Sequence, residues 1–409
     1  MTDILFRKFA HVLVESALNL QYDDTLIIRA APVDYLFVRE VITAAYQMGA
    51  RFVHVEYEDN AADPLRCLYA GDEYLEYCPQ WIKDYMARSA ADRIAVLILH
   101  SPDPMINGGL DEERLLRIKK GKRQAARAFN MARSDGHVSI VKTAVPSVQW
   151  ARAVYPELDD TAAYARLWAD FSKVVRLNSP DPIEAWRIHK EDLRRHKEML
   201  NALHIQTLYF SGPGTELEIG LAKGTGWTGG YDINPVTGLE YIPNIPTEEL
   251  FAVPDKWRVN GKVRATMAMN HNGSLIQGFS FVVKEGRVVS YTAEAGGRIL
   301  RDILRTDGGA RYFGEISLVP VTSPIYQTGR VFYDTLLDEN AVCHMALGNA
   351  LVSAGKDGQA LGKNQREAAG LNCSQVHVDF MIGSEQIDVD ARLEDGAHIA
   401  LMRKGLWVI

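Results

Sequence analysis

The sequence predicts an α/β N-terminal domain with a parallel sheet, followed by a β-rich α+β C-terminal domain. Two observations support this prediction. Apolar runs alternate with helical segments up to about residue 180, whereas short alternating segments divided by glycine turns follow after Thr207. Strands separated by helices form βαβ units and parallel sheets, while short strands joined by tight turns are typical of antiparallel sheets.

The first domain is predicted from periodicity, since helices repeat apolar residues every three to four positions and buried strands are short apolar runs. The predicted elements are a helix near Ile4–Leu20, a strand Thr25–Ala30, a helix near Tyr35–Met48, and strands Phe52–Tyr57, Ile94–His100 and Ser139–Ala144. Two prolines in Asn178–Pro182 mark a boundary. We therefore expect an N-terminal domain over residues 1–182.

A charged helix near Ile183–Leu203 begins the second domain, which covers residues 183–409. The segments TLYF, ELEIG, LIQGFSFVV and RVVSYTAEA alternate in polarity and end in Gly or Asn-Gly turns. This pattern predicts antiparallel strands.

Composition excludes several classes of function. The formal net charge is −7, and the sequence has no basic stripe with interleaved aromatic residues, so nucleic-acid binding is not expected. No segment reaches the roughly 18 apolar residues of a membrane span, and the N-terminal segment is an amphipathic helix rather than a signal peptide. The four cysteines form no CxxC pair, which favours reduced thiols and a cytoplasmic location.

The segment SQVHVDFMIGS, residues 374–384, is the most informative for function. It predicts a strand, on which His377 and Asp379 share one face while Val376, Val378 and Phe380 enter a core. An imidazole beside a carboxylate on a rigid strand suits a metal site. A hydrogen-bonded His–Asp pair with a structural role is the alternative.

Three further segments carry candidate ligands. In residues 336–351 we expect a helix that begins near Ala341, capped by Asp338 or Asn340, with His344 about one turn inside it. A lone helical histidine is more often a core or surface residue than a ligand.

Carboxylates occupy the other two segments. Glu249 is expected to face inward while Glu248 stays in solvent, and Glu315 begins an apolar strand. A plain surface pair and a solvated strand end are the respective alternatives. A buried carboxylate is costly unless it is paired or bound to a metal.

Together these segments resemble a known family. The motifs NIPTEELFAVP, GEISLVP, TLLDENAVCHMALG and HVDFMIGS occur in the order and at the spacing of the AmpS, PepS and aminopeptidase T group, the twenty-ninth family of metallopeptidases. The N-terminal half is similar more loosely, through LNLQYDDTLIIRA and AAYQMGARFVHVEYED. The resemblance spans essentially the whole chain.

The resemblance implies a dinuclear aminopeptidase that releases N-terminal residues from short peptides by attack of a metal-bridging hydroxide. Its five metal ligands fall on Glu249, Glu315, His344, His377 and Asp379. Three carboxylates and two imidazoles suit two divalent ions of zinc, cobalt, manganese or magnesium.

Further roles are implied in the same way. The resemblance assigns proton transfer to Glu315, and Glu339 is a candidate partner of His344 outside the ligand set. It also implies a homodimer.

One position departs from the family pattern. The family carries a tyrosine seven residues after the histidine, where this chain has Leu351. Seven residues is nearly two helical turns, so both side chains are expected on one face, and a phenol there could donate a hydrogen bond to the oxyanion of the reaction. Leucine cannot donate, so the chain uses another donor, reacts more slowly or catalyses another reaction.

Two alternatives follow. His344, His377 and Asp379 alone would suit mononuclear non-haem iron(II), as in the ring-cleaving hydroxypyridine dioxygenases, which resemble this family in the same way. The presence of Glu249 and Glu315 favours the dinuclear hydrolase, because a mononuclear site has no need for them. The second alternative is a relative of low or no activity, kept as a binding module.

Overall fold

The computed structural model describes residues 2–90, 94–271, 273–351 and 363–409. Helices and strands alternate up to residue 202: α1 (Thr2–His11), β1 (Thr25–Ala30), α2 (Tyr35–Gln47), β2 (Phe52–Tyr57), α3 (Ala62–Tyr69), α4 (Gln80–Ser89), β3 (Ile94–His100), α5 (Glu112–Ala125), α6 (Arg127–Ser134), β4 (Val138–Ala144), α7 (Val148–Val154), α8 (Asp160–Val174) and α9 (Pro182–Ala202). A π-helical stretch, Val12–Ala17, continues α1.

Strands dominate after α9: β5 (Ile205–Gly212), β6 (Thr215–Leu221), β7 (Asp232–Ile233), β8 (Glu240–Tyr241), β9 (Asn244–Ile245), β10 (Leu250–Ala252), β11 (Pro254–Arg264), β12 (Met269–His271), β13 (Ser274–Ile276), β14 (Ser280–Lys284), β15 (Arg287–Thr292), β16 (Phe313–Leu318), β17 (His344–Gly348), β18 (His377–Met381), β19 (Asp388–Leu393), β20 (His398–Arg403) and β21 (Leu406–Trp407). The described residues between these strands also form a 3-10 turn (Tyr326–Thr328) and three short α-helices: α10 (Gly297–Ile303), α11 (Thr335–Asp338) and α12 (Lys363–Ala368).

The chain divides into two compact units. The first contains Met1–His189 and Tyr231–Pro246, and the second contains Lys190–Gly230 and Thr247–Ile409. The division therefore falls inside α9, and the segment with β7, β8 and β9 returns to the first unit. A single cut after residue 182 does not describe this return.

The first unit is built on a parallel sheet with strand order β2-β1-β3-β4-β9. Its central strands are almost continuous apolar runs, and Leu26, Ile28, Val96, Leu97 and Val141 are buried. Such runs are expected where helices cover both faces of a sheet. The predicted α/β fold of this part is confirmed.

In its described residues the second unit contains two main antiparallel sheets and one two-stranded antiparallel ribbon, β12-β13. The larger has the order β15-β14-β11-β6-β5-β19-β20-β21, and the smaller has the order β10-β16-β17-β18. One apolar core joins them, with Phe210 and Phe281 from the larger sheet and Ile316, Met345 and Phe380 from the smaller. The predicted β-rich character of this part is also confirmed.

The helix expected around His344 is wrong. His344 begins β17, and the only helical turn nearby among the described residues is α11, which ends at Asp338. Every residue of β17 is buried. A strand buried on both faces loses the polar alternation that identifies strands, and its Ala and Met composition then favours a helix.

No described helix has both the length and the apolar character needed to cross a membrane.

Candidate metal centre

Four of the five expected ligands lie on one face of the smaller sheet of the second unit: Glu315, His344, His377 and Asp379. Glu315 pairs with Ala346, which pairs in turn with Asp379, while Gly348 pairs with His377. Directly paired residues of antiparallel strands share a face. The sheet therefore brings together residues that are distant in sequence.

The opposite face of this sheet fixes the register. Ile316, Met345 and Phe380 alternate with the ligands and are buried in the core. A slip of one residue would turn these apolar side chains toward the site and the charged ones into the core. Hydrophobic burial thus holds the ligand set in place.

A β-bulge at Gly314 directs Glu315 toward the site. Phe313 pairs with Leu347 and is buried in the core, yet Glu315, two residues later, pairs with Ala346 on the ligand face. Without the bulge these two residues would face the same side, since side chains alternate along a strand. The bulge residue must also be small, because a Cβ at Gly314 would lie 2.2 Å from the carbonyl oxygen of Asn349.

The fifth residue, Glu249, precedes β10 and is 7% exposed. Its Oε2 lies 3.3 Å from Nε2 of His344 and accepts a hydrogen bond of 3.1 Å from the Ser317 hydroxyl. Ser317 pairs with His344 across the sheet. The hydroxyl therefore holds the Glu249 carboxylate against the histidine.

The side chains form two groups that share Glu315. In the first group, Nε2 of His344 lies 3.2 Å from Oε1 of Glu315 and close to Glu249, as given above. In the second group, Nε2 of His377 lies 3.6 Å from Oε2 of Glu315 and 3.3 Å from Oδ1 of Asp379. The ligand atoms of each group lie within 4.8 Å of one another.

The two imidazoles are oriented differently. Nδ1 of His377 donates to the carbonyl oxygen of Asn349 at 2.8 Å, which directs Nε2 toward the carboxylates. Histidines that bind metals are commonly oriented by such a hydrogen bond. His344 has no exposed surface, and its Nδ1 has no hydrogen-bond partner among the described residues.

The charges of the centre shift the pKa values of its members. Burial disfavours the charged form of both imidazoles, but the facing carboxylates outweigh it and raise the pKa of His344 and of His377 to about 9. Burial raises the pKa of Glu249 to about 7, and the neighbouring carboxylates add to this effect. The pKa of Asp379 is lowered despite burial, because His377 donates to it.

This donor set fits divalent cations. Glu249, Glu315 and His344 are buried, and His377 and Asp379 are partly buried beside them. Burying several charges together is costly unless they are compensated. Protons on the imidazoles supply part of that compensation in the metal-free chain, so metal binding must displace them and weakens as pH falls. Oxygen and nitrogen ligands of this kind suit zinc, cobalt, manganese or magnesium.

Two sequence predictions concern glutamates beside the centre. Glu248 is 6% exposed, so the expectation that it stays in solvent is wrong; its backbone N–H donates to Oδ1 of Asn340 at 2.7 Å. Oε1 of Glu339 lies 3.5 Å from Nδ2 of Asn340, and it does not accept a hydrogen bond from Nδ1 of His344.

Leu351 follows the end of β17 and is 47% exposed. The argument that placed residues 344 and 351 on one helical face is therefore wrong, because this segment is a strand. The two-residue spacing of His377 and Asp379 pointed to the site, but no signal in the sequence pointed to the contribution of Ser317 and Gly314.

The chain is similar to known proteins in both sequence and structure. The family model described as thermophilic metalloprotease (M29) matches residues 2–407. Aminopeptidase T from Thermus thermophilus is 39% identical over 98% of both chains, and aminopeptidase 2 from Geobacillus stearothermophilus is 36% identical over 98% of this chain and 97% of its own. The solved structure of wild-type AmpT from Thermus thermophilus matches with a TM-score of 0.89 and 37% identity, and it covers 100% of both chains.

Proposed function

Because the chain belongs to the M29 family of metalloproteases, we propose that it is a metal-dependent aminopeptidase that removes N-terminal residues from short peptides. The class of reaction is hydrolysis of a peptide bond. The observation that carries the proposal is the pair of ligand groups joined by Glu315.

We assign Glu249, Glu315 and His344 to one ion and Glu315, His377 and Asp379 to the other. Bound divalent ions supply Lewis acidity for the scissile carbonyl, an acidified water and a site for a free α-amine. Within the chain, the Ser317 hydroxyl and the Asn349 carbonyl orient Glu249 and His377.

Proton transfer is proposed for Glu315, as the family resemblance implies. Its two oxygens face different histidines, so the carboxylate is shared by the two ligand groups. Proton transfer by Glu315 would require one of these oxygens to be released from its ion. Glu315→Gln should remove both functions, whereas Glu315→Asp keeps the charge and changes the reach.

The relatives favour the aminopeptidase over the iron dioxygenase, because those matched over nearly the whole chain are named aminopeptidases. The glutamates point the same way, since a mononuclear site of His344, His377 and Asp379 would leave Glu249 buried beside His344 without a cation. We further propose a cytoplasmic homodimer that carries two ions of zinc, cobalt, manganese or magnesium per chain. Its substrates are short peptides rather than nucleic acids or membranes.

Metal content and turnover test the proposal together. The purified protein should hold about two divalent ions per chain by elemental analysis, and it should cleave aminoacyl p-nitroanilides in a reaction that chelator abolishes. His344→Ala should lower the metal content and the rate, whereas His54→Ala, on the exposed face of β2, should change neither. One tightly held iron, or no turnover with any aminoacyl substrate and any of the four metals, would refute the assignment.

A further inference from the structure

The face of the sheet that carries the ligands continues beyond Glu249. Phe251 lies two residues after Glu249 and pairs with Ser317, which lies on the ligand face. On its other side, Phe251 exchanges two backbone hydrogen bonds of 2.9 Å with Thr228. A row across neighbouring strands therefore runs from Thr228 through Phe251 and Ser317 to His344.

Phe251 differs from its neighbours on the strand. Leu250 and Ala252 are 1% and 3% exposed and belong to the core, whereas Phe251 is only half-buried. The aromatic ring therefore leaves apolar surface uncovered beside a buried cluster of charges. Contact of this surface with an apolar group of a ligand would be favourable, because it removes apolar area from water.

The chain behind this row is fixed in position. Gly229 has a φ of +120°, and a Cβ there would lie 2.4 Å from the carbonyl oxygen of Glu249. The backbone of Thr228–Gly229 thus lies directly against the backbone that carries Glu249. The positions of Thr228 and Gly229 are therefore fixed relative to Glu249.

The metal centre has a buried end and an open end within the second unit. The side chains of His344 and Glu249 are 0% and 9% exposed, whereas that of His377 is 22% exposed. Phe251 lies at the buried end, next to Ser317 and Glu249. An enzyme that removes one residue at a time must hold the terminal residue at the closed end and let the rest of the chain leave at the open end.

We propose that Phe251, bordered by Thr228, binds the side chain of the first substrate residue and selects apolar N-terminal residues. The free amine then lies toward Glu249 and His344, and the remainder of the peptide leaves past His377. This inference rests on the proposed aminopeptidase function, since it assigns a specificity site to the same centre.

Substitution of Phe251 provides the test. Phe251→Ala should lower the ratio of kcat/KM for leucine p-nitroanilide to that for glycine p-nitroanilide by about tenfold or more, because one lost methylene contact in an apolar pocket already changes such ratios about 10- to 200-fold. Phe251→Leu keeps an apolar surface and should restore most of the ratio. Tyr209→Ala serves as the matched control, because Tyr209 is an aromatic residue of β5 in the other sheet, where it stacks on His398.

A binding measurement separates this inference from the proposed function. Calorimetry on the metal-loaded protein should show that L-leucine binds about tenfold more weakly to Phe251→Ala than to the wild type, while glycine binds equally to both. An unchanged leucine-to-glycine ratio together with unchanged leucine binding would overturn the specificity site. If the wild type cleaves no aminoacyl substrate, the function fails and leucine binding alone decides the site.

Discussion

At the scale of single residues, Gly314 meets two requirements of the metal centre at once. It forms the bulge that turns Glu315 to the ligand face, and it lets the Asn349–Ala350 backbone approach closely. The Asn349 carbonyl in turn accepts the hydrogen bond that orients His377. One residue without a side chain therefore influences both the shared ligand and the second ligand group.

Gly314→Ala should weaken metal binding and lower stability. Its new Cβ would meet the Asn349 carbonyl oxygen at 2.2 Å, so Asn349 must move and the orientation of His377 is lost. Disturbing a group that orients a ligand commonly costs about 10- to 100-fold in metal affinity, and overpacking costs about 1–3 kcal/mol. Metal titration and thermal unfolding measure the two effects.

Gly308→Ala is the matched control, because no heavy atom lies within 4 Å of a Cβ at that position. It should leave metal affinity and melting temperature close to those of the wild type. Equal metal affinity in Gly314→Ala would contradict the proposed link from Gly314 to His377.

Leu351 allows a second test at this scale. The position is exposed and lies two residues after Asn349, so Leu351→Tyr should fold normally. If a tyrosine here donates to the oxyanion, kcat should rise, and one such donor is worth up to about a hundred- to thousandfold. Leu351→Phe adds the ring without the hydroxyl and should give no increase; a similar rise in both variants would exclude the hydrogen bond as the cause.

At the scale of elements, the sequence was most informative where one face of a strand is buried and the other carries the ligands. The prediction of a strand through His377 and Asp379 is confirmed, because Val378 and Phe380 alternate with them and enter the core. The buried strands of the parallel sheet lack this contrast, but their continuous Ile, Val and Leu residues identify them as strands.

The sequence prediction is wrong where both the contrast and the β-branched residues are missing. His344 lies on β17, whose residues are buried on both faces, so its sequence shows no alternation and predicts a helix. The bulge at Gly314 depends on a neighbouring chain that is close only in the folded structure. Glu248 likewise contacts a residue that is remote in sequence, since its backbone N–H donates to Oδ1 of Asn340.

The buried carboxyl group of Asp34, which follows β1, leads to a prediction about how the free energy of unfolding depends on pH. Asp34, which is 5% exposed, accepts hydrogen bonds of 2.7 and 2.6 Å from the Ser101 hydroxyl, and burial raises the pKa of its carboxyl to about 6. The folded chain therefore binds this proton more tightly than the unfolded chain, whose carboxyl has a pKa near 3.8. Stability from this group is present below about pH 4 and is lost as pH rises to about 6.

Asp34→Asn removes the titrating group and keeps an oxygen for Ser101. The difference in unfolding free energy between the wild type and this variant should change by about 2 kcal/mol between pH 4 and pH 6, since a shift of one pKa unit corresponds to about 1.4 kcal/mol and about two thirds of the whole effect falls between these pH values. Denaturant unfolding at several pH values measures it. Asp84→Asn, at an exposed site, should show a constant difference, and a constant difference for Asp34→Asn would exclude the proposed linkage.

At the scale of the whole molecule, every proposed metal ligand belongs to the second unit, and the parallel sheet of the first unit contributes none. The family match nevertheless covers both units. Metal should therefore stabilise the two units unequally, because only the second loses a set of compensating cations when the ions are removed.

Hydrogen exchange with mass spectrometry can measure this asymmetry. At a free metal concentration of about one hundred times Kd, binding stabilises the folded state by about 2.7 kcal/mol, so amides that exchange by opening the metal-binding sheet should slow by up to about a hundredfold. We expect this protection in β16, β17 and β18, little change in β1 and β3, and none in His344→Ala, which lacks one ligand. Equal protection of β1 and β3 would show instead that the units open together, and metal would then stabilise the chain as one cooperative body.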